Sequence, residues 1–361
     1  MVKVFILECG GINMNNGLSA VSIPMLDEEM GRQVKGHVDS LTVPQGSLGR
    51  LEEWIIELAK MTGEAFPDIS KPGVIVFAAD HGITEEGVSA YPKEVTEQMA
   101  LNFLNDGAAI NVLSRAIDAY LDIVDIGIDA DIEAPGLTSR KVRNGTRNFY
   151  KEEAMTKEEV NQALDIGYDR AEKMIARGVN CLILGEMGIG NTTSSTAIIS
   201  IISGKSVESL VGQGTGLKSE GILHKRRIIE EAISLRNPNP DDPINILMNI
   251  GGFEIAGMAG AMLAAANNRI PILVDGFITT TAAVLANLIS GRAADYMFVG
   301  HRSAEPGHRA AIDLLGKEPI LDLGMRIGEG TGAALSYPIL KAATLVIKEM
   351  ATFESAGVSN K

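Results

Sequence analysis

The stretch Val179–Thr193, VNCLILGEMGIGNTT, opens as a nearly continuous apolar run and passes through Gly188 and Gly190 into hydroxyl-bearing residues. An apolar run without alternation suits a strand covered on both faces, and such strands belong to parallel sheets packed between helices. Five further runs share this character: Val74–Ala79 (VIVFAA), Leu121–Ile126 (LDIVDI), Ile270–Val274 (IPILV), Tyr296–Val299 (YMFV) and Ile320–Leu323 (ILDL). Each is followed by glycine and then by a helix-like pattern. The alternation predicts an α/β, doubly wound, mostly parallel sheet whose ligands sit beyond the carboxyl ends of its strands.

The two ends of the chain read differently. Pro44–Gly49 (PQGSLG) is a turn, and Leu51–Met61 (LEEWIIELAKM) follows with helical spacing. From Gly332 onward the chain is mostly helical and closes on a polar tail, SNK, expected to be disordered. A smaller helical domain built from 1–70 plus 335–361 is expected beside a large catalytic domain over 71–334. Arg236–Pro243 (RNPNPDDP) reads as a surface loop.

At 361 residues the chain exceeds what one hydrophobic core usually serves, and its 45% hydrophobic content is that of a globular protein. A formal charge of -14 leaves no basic footprint for nucleic acid, so an anionic substrate must be met by a local pocket. The only two cysteines, Cys9 and Cys181, are no disulfide framework and fit a reducing cytoplasm. The opening MVKVFILECG has a very short apolar stretch and no small-residue cleavage site, so no signal peptide is expected. The longest charge-free apolar run, Ile255–Ala266, is too short to cross a bilayer. A soluble cytoplasmic protein without nucleic-acid or membrane partners is the expectation.

In Leu184–Thr193, Gly188 and Gly190 let backbone approach a ligand, while Asn191, Thr192 and Thr193 can cap the following helix and donate to phosphate. An ordinary glycine turn would look similar, but strand, glycines and hydroxyls coincide here at a sheet edge. A loop further on, Val211–Leu217 (VGQGTGL), is echoed by Ile327–Ala333 (IGEGTGA). The first carries no acid and precedes Lys218 and His224-Lys225-Arg226-Arg227, which makes it the better partner for an anion. A basic run on a helix is usually a solvated face; one of the four could turn inward, and spacing leaves open which.

The second loop, RIGEGTGAAL (326–335), puts Glu329 among glycines, where a carboxylate would repel phosphate. Gly328-x-Gly330-x-x-Ala333 fits a dinucleotide fingerprint only loosely, and too little chain follows to complete that unit. Desolvated at a strand end, Glu329 would have a raised pKa suited to a general base, although a surface glutamate in a turn shows the same pattern. Asp80-His81-Gly82, with His301 and His308 in GHRSAEPGH, offers a metal-dependent phosphate-ester hydrolase as the rival reading. Against it stand the missing i, i+4 histidine pair and the lack of acids at fixed spacing, so structural or substrate-positioning roles are preferred. In Ala90–Ala109 an amphipathic helix starts near Pro92, and its Gln98, Met99 and Phe103 could line an apolar pocket or face the core.

Seven stretches together resemble one family, the nicotinate-nucleotide–dimethylbenzimidazole phosphoribosyltransferases of cobalamin synthesis. They are GSLGRLEEW (46–54), FAADHGITEEGVSAYPKEVTEQM (77–99), GAAINVLSR (107–115), GEMGIGNTT (185–193), VDGFITTTAA (274–283), GHRSAEPGH (300–308) and LGMRIGEGTGAA (323–334), in the family's order. The resemblance implies transfer of ribose 5-phosphate from nicotinate mononucleotide to a benzimidazole nitrogen, with inversion at the anomeric carbon, release of nicotinate, and no metal or cofactor. It implies Glu329 as general base and Glu186 as a second active-site acid of open role. It implies Ser89 and Gln98 at the aromatic base, and Gly188, Gly190, Asn191, Gly214, Thr215 and Lys225 near the nucleotide phosphate. Asp275 and Ser303 match positions at the remaining strand ends near substrate. It further implies a homodimer with a large Rossmann-like domain and a small helical one. The chain departs from the family at Val43–Gly49 (VPQGSLG, where Lys-Pro-Pro-Gly-Ser-Leu-Gly is usual), and residues 1–40, including CGGINMNNG, match nothing in it. These departures leave the reaction class alone but open the preferred base (benzimidazole, phenolic or purine) and the partner, itself or a related subunit.

Overall fold

The computed structural model describes residues 21–359. Cys9, the opening MVKVFILECG, the CGGINMNNG segment and the last two residues of the SNK tail lie outside the described residues.

The apolar runs form β1 (Pro72–Ala79), β2 (Tyr120–Gly127), β4 (Cys181–Met187), β5 (Ile272–Val274) and β6 (Met297–Val299), joined by β3 (Leu137–Ser139). One sheet holds them in the order β3-β2-β1-β4-β5-β6, with every adjacent pair parallel. All residues of β1 are buried, so both faces are covered, which is why this strand shows no alternation in sequence. The short β3 carries no apolar signal; it is fastened by Thr138 Oγ1 donating to Asp122 Oδ1 at 2.7 Å.

Ile320–Leu323, expected as a strand, is an isolated parallel bridge of Leu321 with His301. The Ile320 N–H donates to the Val299 carbonyl at 2.9 Å, but Asp322 and Leu323 are exposed, so pairing stops where the chain meets solvent. The expected helix over 51–61 runs Arg50–Thr62, and the apolar run 255–266 lies in the buried helix Phe253–Asn267. Among the described residues no helix is long and apolar enough to cross a membrane.

The terminal helices meet. Val34 and Val38 of the helix Glu28–Val38, Ile55 and Ala59 of Arg50–Thr62, and Ala343 and Ile347 of Thr331–Glu349 form a cluster apart from the main core. The helix Arg50–Thr62 also sends Trp54, Leu58 and Met61 into that main core. The anticipated boundary at 334/335 falls inside Thr331–Glu349, whose first turn sits at the sheet's carboxyl edge while its last turns belong to the terminal cluster.

The chain runs outward from β1 to β2 and β3, then returns to lay β4 on the other side of β1. At such a reversal the loops leaving the two central strands part and open a crevice at their carboxyl ends.

Candidate active site

That crevice is a cavity of about 570 Å³. Its wall comes from the segments after β1 (Ser89, Met99), β4 (Glu186, Gly188, Asn191), β5 (Gly276, Thr279) and β6 (Ser303, Glu305), closed by Arg326–Glu329.

Glu329 lies on this wall, 8% exposed, with Oε2 lacking any hydrogen-bond partner among the described residues. Burial raises its pKa. Its backbone is left-handed, φ 68°, a conformation that only a well-determined surrounding maintains in a non-glycine residue. Three contacts supply that surrounding. The Glu329 N–H donates to the Glu186 carbonyl at 3.2 Å, and Asp275 accepts the Gly330 N–H at 3.2 Å and the Ala333 N–H at 2.9 Å. The loop also rests on β4 at Gly185, where a Cβ would stand 2.2 Å from the Glu329 carbonyl.

Asp275 thus sits behind the pocket wall, at the amino end of Thr331–Glu349, and holds the loop that carries Glu329. Burial pushes its pKa up to about 7 against the opposing pull of backbone N–H groups. Glu186 faces the cavity with Oε2 accepting from Asn191 Nδ2. Burial, and next the neighbouring Glu254 carboxylate, push Glu186 up to about 8, so it carries a proton at neutral pH.

Another part of the cavity wall comes from the VGQGTGL loop, beside which the helix Ser219–Arg236 runs. Of the basic run, Lys225 alone is buried, and its Nζ donates to Thr192 Oγ1 at 2.7 Å. His224 Nε2 bonds the Glu86 carbonyl at 2.6 Å, Arg226 pairs with Glu208 and Glu230, and Arg227 reaches the His224 ring. Burial lowers the Lys225 pKa to about 8, with Glu305 opposing that shift. Gly214 and Thr215 line the cavity beside it, and Thr215 Oγ1 accepts the Ala90 N–H at 3.0 Å and bonds Ser89 Oγ at 3.1 Å. Thr215 therefore ties this loop to the segment carrying Ser89.

Several residues stand elsewhere than their sequence pattern suggests. The helix Asn191–Ser203 begins at Gly190, which has no side chain to cap it, while Asn191 and Thr192, already inside the helix, bond Glu186 and Lys225. Gly188 sits against β1, where a Cβ would meet the Ala79 carbonyl oxygen at 2.5 Å. On the helix Val95–Leu104, Met99 reaches the cavity, Phe103 enters the core and Gln98 is exposed, absent from the cavity wall. His81 Nε2 bonds Glu254 Oε1 at 2.7 Å in the interior. His308 Nδ1 accepts the Ser303 N–H at 2.8 Å, which leaves its Nε2 proton for Thr280 Oγ1 at 2.9 Å and fixes Ser303 on the wall. The two histidine segments thus hold separate partners, and among the described residues no group of three or more His, Cys, Asp or Glu could hold a metal. Glu254 and Glu305 carried no sequence signal, since their partners lie far along the chain.

A family model described as phosphoribosyltransferase matches residues 23–358, so the family match begins within the first forty residues, where the sequence showed no recognisable motif. The chain is 48% identical over 335 residues to a nicotinate-nucleotide–dimethylbenzimidazole phosphoribosyltransferase of Geobacter sulfurreducens, covering 92% of this chain and 95% of that relative. It is equally 48% identical over 337 residues to one from Chloroflexus aggregans, covering 93% and 96%. A crystal structure of the Thermus thermophilus enzyme of that name superposes with a TM-score of 0.88 at 41% identity, covering 93% of this chain and 100% of that one. Matched along nearly its whole described length, this chain belongs to the nicotinate-nucleotide–dimethylbenzimidazole phosphoribosyltransferase family.

Proposed function

We propose that the chain transfers ribose 5-phosphate from nicotinate mononucleotide to a ring nitrogen of 5,6-dimethylbenzimidazole or a similar aromatic base. The products are alpha-ribazole 5'-phosphate and nicotinate, within assembly of the cobamide nucleotide loop. The observation that carries this reading is the Glu329 carboxylate, buried on the cavity wall with Oε2 unpartnered and its pKa raised.

The attacking nitrogen forms a bond to the anomeric carbon from the face opposite nicotinate, and the carbon–nicotinate bond breaks. The bonding pair returns to the pyridinium ring, which leaves as neutral nitrogen and needs no acid. Positive charge meanwhile spreads over the new azolium, and its remaining N–H gives its proton to Glu329. A general base of this kind contributes roughly 10²–10⁴ in rate. Glu186, protonated near neutral pH, can donate to a ribose oxygen. Gly188, Gly190, Asn191, Gly214, Thr215, Lys225 and Ser303 are assigned to the nucleotide and its phosphate, with Asp275 acting through the loop it anchors. The aromatic base lies between Ser89 and the apolar wall of Val88, Met99, Ile278 and Ile327. Gln98, exposed on its helix, joins that pocket only if the segment closes on bound base.

Glu329→Gln should slow nicotinate release from nicotinate mononucleotide plus 5,6-dimethylbenzimidazole by roughly 10²–10⁴ while nucleotide affinity holds; release at the parent rate would refute the base assignment. A screen of benzimidazole, phenolic and purine acceptors against the same donor identifies the preferred base. The terminal helix cluster supports a small helical domain over 1–70 plus 335–361 beside the catalytic domain 71–334. The family resemblance supports a dimer, of the chain with itself or with a related subunit. Exposed Leu335 and Ile339, one turn apart, supply apolar surface for such pairing, and light scattering on the purified chain reads the outcome.

A further inference from the structure

The VGQGTGL loop, acid-free in its own sequence, has an acid seated in it from elsewhere. The Gly214 N–H donates to Glu305 Oε1 at 3.1 Å. Glu305 Oε2 lies 2.0 Å from where a Cβ on Gly212 would stand, so the carboxylate rests against the loop backbone. Glu305 is 8% exposed and lines the cavity. Beside it Lys225 Nζ lies 3.2 Å from the corresponding Cβ position of Gly214. The backbone carrying Glu305 is fixed, with its N–H donating to Ser303 Oγ at 3.3 Å and the helix Gly307–Leu315 starting two residues on. The side chain, in contrast, lines the cavity.

We propose that Glu305 is a stand-in anion for the nucleotide phosphate. Its carboxylate holds the Gly214 N–H in the free protein, yields that place to the incoming phosphate, and returns as the phosphorylated product leaves. A half-buried N–H without an acceptor and a buried ammonium without a countercharge each cost stability, so an anion helps the empty loop keep its shape. Phosphate fills the same role with more acceptor oxygens and more charge, and so can displace the carboxylate. The exchange weakens phosphate binding by the strength of the contact it replaces, which favours turnover over retention of product. The inference rests on the reading of this loop as the phosphate seat.

Calorimetric titration of the full chain with inorganic phosphate, with nicotinate mononucleotide and with the matching phosphate-free nucleoside tests both levels. Replacing a charge-assisted contact by a neutral one in Glu305→Gln should tighten inorganic phosphate about tenfold or more. The same variant should tighten the nucleotide and leave the nucleoside unmoved. Lys225→Met should weaken phosphate and nucleotide. If Glu305→Gln leaves phosphate affinity unchanged or lowers it while Lys225→Met still weakens it, the stand-in role is wrong and the phosphate seat stands. Loss of nucleoside affinity in Glu305→Gln would overturn the proposal in favour of a ribose contact. Should Lys225→Met leave phosphate binding untouched, the seat itself is misplaced and the proposal goes with it. Glu305→Asp, which keeps the charge but withdraws it by one methylene, provides the same reading if Glu305→Gln does not fold: phosphate should bind more tightly than to the parent, and equal binding overturns the proposal.

Discussion

Glu329 combines a left-handed backbone, a buried carboxyl and an unpartnered Oε2, three features that each disfavour the folded state. Its folded pKa lies above the unfolded value, so the folded chain holds this proton the more tightly. The resulting stabilisation is complete below the ordinary carboxylate range and is lost as pH rises through the raised value. Glu329→Gln carries no such charge and should melt above the parent at neutral pH, with the gap closing on acidification; melting curves across pH read this, and equal curves at neutral pH would sink it. The same acids set the pH dependence of turnover. Activity should fall on the acid side as Glu329 protonates, above the usual glutamate range, and on the alkaline side near pH 8 as Glu186 loses its proton. Glu186→Gln should keep the acid limb, and any alkaline fall that remains reports Lys225, itself lowered to about 8. Glu329 was legible in sequence because its glycine neighbours are contiguous with it. Glu305 was not: its Gly214 partner is 91 residues away, and no local pattern marks such a pairing.

At the scale of elements, the loop 326–330 is positioned by the end of β4, by Asp275 after β5 and by the first turn of Thr331–Glu349. Gly185 is where strand and loop touch, and a methyl group there would stand 2.2 Å from the Glu329 carbonyl. Gly185→Ala should therefore shift the loop, lower nicotinate release by about tenfold or more through misplacement of the base, and leave the thermal transition cooperative. Turnover equal to the parent would show that the loop is set by its other anchors. The buried Cys181 on the same strand, with its thiol pushed up to about 12 by burial, stays inert to thiol reagents in the folded state. Long apolar strands and the glycine-rich loops that follow them were readable because burial on both faces removes alternation and tight turns demand glycine. The three-residue β3 leaves no signal in the sequence, and Ile320–Leu323 forms a bridge rather than a strand, since the pairing of both depends on neighbours rather than on their own apolar content.

For the whole molecule, the separate cluster of Val34, Val38, Ile55, Ala59, Ala343 and Ile347 joins the two ends of the chain at a distance in sequence. Ile55→Ala, at a fully buried site, should cost about 2–5 kcal/mol of local stability. If the ends form a unit of their own, hydrogen exchange should quicken in the helices Glu28–Val38 and Arg50–Thr62 while β1 and β4 keep their protection; uniform loss of protection would instead mean one cooperative body. The sequence by itself determined the parallel α/β class, the helical ends and the acid of the IGEGTG loop, because each depends on burial or turn chemistry among near neighbours. Only the tertiary structure decided that Lys225 is the basic residue turned inward, that Asp275 anchors the loop from behind, and that Glu305 accepts the Gly214 N–H. Those contacts join segments that the strand order brings to one sheet edge, and their energies arise from partners the local chain does not contain.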